Sequence, residues 1–143
     1  MPSDTPKVFC DTNVWFSAFY GSKNCEKLLN AHINRKIIAV ISKQVLEELI
    51  RNFREKLPQA LSIFQEFITS CPPEIIIDPK TINLKVKNLV SPEDGPIFTS
   101  AIIGRVDYLI TGNITDFKIT RLEKLTGIKI LSPKQAVRLF GLV

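Results

Sequence analysis

Short apolar runs alternate with stretches of helical periodicity from one end of the chain to the other. Residues 8–10 (Val-Phe-Cys) form an apolar run that stops at Asp11 and reads as a buried strand. Residues 37–41 (Ile-Ile-Ala-Val-Ile) give the clearest strand. Residues 74–77, 107–111 and 128–131 supply three more. Between them lie segments whose apolar residues recur at helical spacing. A short helix is expected over 14–20, ending at Gly21, and a second over 25–34. Ser42 caps a helix running to residue 56, with Val45, Leu46, Leu49, Ile50 and Phe53 on its apolar face. Pro58 starts another, with Leu61, Phe64 and Ile68 inward, and Cys71-Pro72-Pro73 ends it. A weaker helical segment covers 82–89. Pro96 suits the first position of a helix that ends at Gly104. A short helix over 120–126 ends at Gly127, and Ser132-Pro133 caps a last one running to residue 140.

The order is strand then helix throughout, with no repeat, low-complexity tract or linker. Strands apolar along their whole length are buried on both faces. The expectation is one domain over 1–143, an α/β fold with three layers, α/β/α, around a parallel five-stranded sheet. Crossovers in such a sheet are right-handed, and ligands bind outside the carboxyl ends of its strands. Function is therefore sought at the residues that follow the strands.

Composition narrows this picture a little. With 45% hydrophobic and 23% charged residues, the 143-residue chain has the balance of an ordinary folded domain and not of a disordered one. The net charge of +5 and pI of about 9.2 suit a polyanionic partner such as nucleic acid, and equally serve solubility. Cys10, Cys25 and Cys71 are odd in number and have no metal-ligand or redox spacing, so they read as reduced, mostly buried residues of a cytosolic protein. The first residues lack a charged-then-apolar leader, and no apolar run nears the roughly 20 residues of a membrane span. The reading is a cytoplasmic protein, complete in itself, with no membrane partner.

The candidate chemistry lies in carboxylates after strands. Asp11 directly follows the first strand, and Asp116 lies a few residues past the fourth. Asp94 stands two residues before Pro96, and Glu47 and Glu48 are in the second turn of the helix after the second strand. Gathered at one sheet edge, these groups raise one another's pKa unless a cation is present. Oxygen-only ligands select hard cations such as Mg²⁺ or Mn²⁺, which activate water toward a phosphodiester. Each residue also has a structural reading. Asp11 and Asp94 suit helix starts, Asp116 suits a turn, and Glu47 and Glu48 suit a solvated face paired with Arg51. Their joint placement on successive elements of one fold is what points to function.

These segments resemble the PIN-domain family. Val-Phe-Cys-Asp-Thr-Asn-Val (8–14) looks like its opening strand and first acidic residue. Ile-Ser-Lys-Gln-Val-Leu-Glu-Glu-Leu (41–49) is similar to its second motif, and Pro-Glu-Asp-Gly-Pro-Ile-Phe-Thr-Ser-Ala (92–101) to its third. Asp-Tyr-Leu-Ile-Thr-Gly-Asn-Ile-Thr-Asp-Phe (107–117) resembles the fourth and is the most specific. The resemblance implies a metal-dependent endoribonuclease using Mg²⁺ or Mn²⁺, acting on RNA. It implies a toxin of a toxin–antitoxin pair, with a cognate antitoxin protein and a homodimer as partners. Asp11, Glu48, Asp94 and Asp116 match its acidic positions, with Asp11, Asp94 and Asp116 as metal ligands. Asn13 and Thr111 match its polar helpers. Helical phase does not separate Glu47 from Glu48; the resemblance favours Glu48, which precedes the pair Leu49-Ile50. Asn113 stands where some relatives have another Asp, which lowers the local negative charge.

Several readings stay open on the residues alone. Lys118 and Arg121 follow Asp116, as Arg51 and Arg54 follow Glu48, and either pair can flank an acidic pocket and hold phosphates. For Arg51 the favoured reading is a solvated face, with Glu47 and Glu55 as i±4 partners. His32 reads as a surface residue, and Trp15, Phe16 and Phe19 as core or dimer contacts. The alternative function is a catalytically weak or inactive domain of the same fold that binds RNA or a protein. A phosphotransferase with Asp11 as nucleophile would usually carry a second Asp two residues on, where this chain has Asn13.

Overall fold

The computed structural model describes residues 5–112 and 118–143. Its five strands are β1 (Lys7–Cys10), β2 (Ile38–Ser42), β3 (Glu74–Ile76), β4 (Tyr108–Ile110) and β5 (Lys129–Leu131). All pair in parallel, in the order β3-β2-β1-β4-β5. The helices are α1 (Thr12–Ala18), α2 (Lys23–Ile33), α3 (Lys43–Lys56), α4 (Leu61–Ser70), α5 (Leu84–Lys87), α6 (Asp94–Ile103), α7 (Ile119–Thr126) and α8 (Pro133–Leu139). The expected α/β fold with a parallel five-stranded sheet is the observed one.

Strand β1 is central, and Val8 and Phe9 are wholly buried. Side chains along a strand alternate between faces. Ala39 and Cys10 face α1 and α2, where Trp15, Ala18 and Leu28 close around them. Val40, one residue on, faces the other way. Gly104 at the end of α6 packs there, with the position of a Cβ only 3.4 Å from Val40 Cγ1 and 3.3 Å from Ile76 Cδ1. A larger residue at 104 would push α6 off the sheet. Helices thus cover both faces.

An aromatic cluster ties α1 to the α3–α4 hairpin. Phe53 stacks on Phe16 at 5.4 Å, meets Phe19 edge-on at 5.4 Å, and lies 5.1 Å from Phe64. Trp15 is buried and tilts against Phe67 at 5.8 Å. Such pairs add about 0.5–1.5 kcal/mol each beyond area burial. Trp15, Phe16 and Phe19 are core residues.

Most elements lie within a residue or two of the expected bounds, and the departures have local causes. Helix α1 begins at Thr12 instead of residue 14, because Asp11 Oδ1 accepts the Val14 N–H at 3.1 Å and caps it. Pro58 opens a single 3₁₀ turn, Pro58–Ala60, before α4 starts. Pro96 is the third residue of α6, not the first; no intrahelical partner awaits its missing N–H there. Ser132 and Gln135 form a reciprocal capping box on α8. The expected segment over 82–89 shrinks to the single turn of α5.

His32 is not a plain surface residue. Its Nδ1 accepts the Ala39 N–H at 3.0 Å, and its Nε2 stands 2.9 Å from the Cys71 carbonyl. The Ala39 N–H can only donate, so the ring proton lies on Nε2 and donates to Cys71. One imidazole therefore braces α2, β2 and the end of α4. Among the described residues no helix is long and apolar enough to cross a membrane.

Candidate active site

The strand order reverses direction at β1, between β2 and β4, and a crevice opens there at the carboxyl ends. Asp11 ends β1, and Thr111 ends β4 beside it. The Asp11 N–H donates to the Ile110 carbonyl at 3.1 Å, locking the two strand ends together. The Thr111 hydroxyl then donates to Asp11 Oδ2 at 2.5 Å, while Oδ1 caps α1. Asp11 thus caps a helix with one oxygen and takes the Thr111 hydroxyl with the other, at the crevice.

Glu48 reaches the same crevice from α3. Its Oε2 accepts the Thr12 hydroxyl at 2.7 Å, which fixes the carboxylate against the first turn of α1. Glu47 is exposed and does not line the crevice. The geometry separates the two where helical phase did not. Asp94 arrives from the start of α6, and its Oδ2 accepts the Ser91 hydroxyl at 2.8 Å. Ser91 also accepts the Asp94 and Gly95 N–H groups on its carbonyl, at 3.0 and 3.1 Å. Asp94 is therefore set by its own turn.

Asp11, Glu48 and Asp94 line one cleft of about 630 Å³, open to solvent, together with Thr12 and Asn13. Asn13 is exposed at its rim. Arg51, Asn52 and Ile97 complete the wall. Sequence reasoning missed Thr12 and Asn52; Arg51 is exposed, as expected of a solvated face, and also lines the cleft. The spacing Glu48, Arg51, Asn52 (i, i+3, i+4) is one helix face, and that signal was present. Lys118 and Arg121 are exposed and stand outside this lining. Asp116 and Asn113 lie outside the described residues.

Electrostatics mark Asp11 as the stressed member. Burial, the largest influence, raises its carboxyl above the ordinary value. The Thr111 hydroxyl and the Val14 N–H pull it down, the charge of Asp94 raises it, and the Asn13 N–H lowers it. Burial also pushes the neighbouring Cys10 thiol up, with the charge of Asp11 adding to it, so this buried cysteine is an inert packing residue.

A family model described as PIN domain matches residues 7–115, which include Asp11, Glu48, Asp94 and Thr111. The chain belongs to the PIN domain family. Members of this family are in general nucleases that use divalent metal ions. The fold agrees with that of solved structures. A chain in the crystal structure of VapBC2 from Rickettsia felis bound to a DNA fragment from their promoter superimposes with a TM-score of 0.60 at 19% identity, over 88% of this chain and 98% of that one. A chain in DNA-bound VapBC from Salmonella typhimurium gives 0.60 and 19%, over 90% and 99%. No curated protein matches the sequence.

The donor chemistry of this PIN domain suits a hard divalent cation. Every acidic group at the cleft offers oxygen, and Asp94 leaves Asp11 with unneutralised like charge. Among the described residues no three His, Cys, Asp or Glu stand close enough to form a metal-holding group by themselves. Mg²⁺ keeps several waters and needs only one or two direct carboxylates, so the described carboxylates fit it in part through water.

Proposed function

We propose that this PIN domain is a metal-dependent endoribonuclease that hydrolyses RNA phosphodiester bonds, the toxin component of a toxin–antitoxin pair. One observation carries the reading: Asp11, Glu48 and Asp94, from three different elements, open onto a single cleft at the reversal point of the sheet. Asp11 and Asp94, with Asp116 from beyond β4, would hold Mg²⁺ or Mn²⁺. The ion, when bound, supplies an activated water and neutralises charge on the phosphate under attack.

The chain's own residues do the positioning. Thr111 and the first turn of α1 hold Asp11 ionised and oriented, against the pull of burial. Thr12 holds Glu48 facing the same space, where its free oxygen can take a proton from water. Asn13 and Asn113 offer amides to ribose and phosphate oxygens. Lys118 and Arg121, beyond β4, would meet the strand farther out.

The fold match to chains of VapBC structures supports a cognate antitoxin as partner, and a homodimer remains part of the proposal. Incubation with structured and unstructured RNA, with Mg²⁺, Mn²⁺ or excess chelator, tests the activity. Cleavage that requires the ion and disappears in Asp11→Asn is the expected result. Cleavage that persists in chelator overturns it. A second reading, a binding domain without catalysis, draws on the lack of a three-ligand group among the described residues. Calorimetry with Mn²⁺ separates them: no heat of binding, and RNA affinity indifferent to Asp11→Asn, favours the second.

A further inference from the structure

Resting on the ribonuclease reading, we infer that Arg51 is the phosphate clamp of the cleft, holding an RNA phosphate next to the one cleaved. Arg51 shares a face of α3 with Glu48 and Asn52 and lines the cleft with Asp11 and Asp94. Glu47 and Glu55 lie at i−4 and i+4, the spacing at which a helical arginine ordinarily pairs. Yet among the described residues the guanidinium takes no ion pair or hydrogen bond, and the one salt bridge there is Lys7–Glu74. Glu48 gives one oxygen to Thr12 instead. An exposed fork of five N–H donors is thus left free at the mouth of an acidic cleft.

The cleft lining carries three carboxylates and this single cation. A polyanion entering it is repelled wherever the acidic groups are not covered by metal. Among the described residues Arg51 is the one cationic side chain of the lining, and its planar fork matches two phosphate oxygens. Three residues separate it from Glu48, a rise of about 4.5 Å along the helix. That places the clamped phosphate beside the reacting one and not on it. Asn52, half-buried next to it, can donate to the adjoining ribose. Arg51 is accordingly a residue for substrate binding and register. It contributes equally before and during the reaction, so it acts on KM and leaves kcat alone.

The test uses the full chain with a single-stranded RNA. Cleavage kinetics are measured in Mn²⁺, and binding in chelator, for wild type, Arg51→Gln, Arg51→Lys and Arg54→Gln. Arg54 is exposed on the same helix outside the cleft, so its variant removes equal charge without removing the clamp. Arg51→Gln should raise KM about tenfold with kcat kept, as expected for loss of one hydrogen bond to a charged group. Its slope of log affinity against log salt should flatten by about 0.7, the share of one phosphate contact on a single strand. Arg51→Lys should keep the slope and recover only part of the affinity. The proposal is overturned if Arg51→Gln matches wild type, if it matches Arg54→Gln, or if kcat falls while KM stays. Each of these failures leaves the ribonuclease reading standing. Wild-type protein that neither binds nor cuts RNA overturns both.

Discussion

Asp11 and Asp94 share one cleft but are held by different kinds of structure. Asp11 is fixed by long-range order: its hydroxyl partner, Thr111, is 100 residues away, and β1 and β4 must pair to bring them together. Asp94 is fixed by Ser91, three residues back in the same turn. Both are half-buried, and Asp11 is electrostatically stressed by burial and by the charge of Asp94. The sheet thus supplies the rigid reference point of the site, and the α6 turn supplies a group that can adjust.

The largest test of this contrast is Asp11→Asn. Metal-dependent cleavage should fall at least about a hundredfold, the scale of losing several kcal/mol of charge stabilisation. Stability should move the other way. The folded-state pKa of Asp11 is raised, so between the ordinary value and the raised one the folded chain holds a proton that the unfolded chain releases. Stability therefore falls as pH rises through that window, and the full penalty persists above it. Thermal melts should show the variant more stable than wild type at neutral pH, with the gap closing as pH falls toward the ordinary carboxylate value. A variant less stable at every pH would contradict the assignment of strain to Asp11.

Thr111→Val comes next. It removes the hydroxyl that lowers the Asp11 pKa, so the acid limb of the activity profile should shift to higher pH. Activity at neutral pH should fall about tenfold, and Thr111→Ser should restore it. Mn²⁺ should raise the melting temperature of wild type by about the equivalent of 2.7 kcal/mol at a hundredfold excess over its Kd, and that of Asp11→Asn much less. Ser91→Ala should cost least, about 1 kcal/mol or a few-fold in activity, because a neighbouring water can replace a hydroxyl in an open turn. Equal losses in Thr111→Val and Ser91→Ala would break the contrast between sheet-held and turn-held carboxylates.

The same contrast explains what was legible in the sequence. The five strands were visible because each is a short apolar run, and β1 and β2 are buried along nearly their whole length. Asp11 follows such a run directly, so the rule for parallel sheets pointed to it, whereas Thr111, read as the last residue of its strand, was singled out by the resemblance alone. Glu48 over Glu47 needed the crossing of α1 and α3, which brings Thr12 to one of them only. No periodicity within α3 contains that information. Arg51 is exposed as expected, but its place at the cleft was not legible, because pairing with Glu47 or Glu55 is the default on an isolated helix and the cleft exists only in the folded chain. His32 was misread for a related reason: its partners, Ala39 and Cys71, belong to other elements. Residues 113–117, the end of the most specific segment by resemblance, with Asn113 and Asp116, lie outside the described residues.

The strand order has a consequence for biosynthesis. β1 is made before its neighbour β4, which comes about a hundred positions later, as the Asp11–Thr111 bond records. At about 5–20 residues per second, the ribosome needs roughly 5–20 s to pass from one to the other. Throughout that interval the nascent polypeptide has Asp11 but no crevice to place it in. A crevice wired this way cannot assemble before β4 has been made.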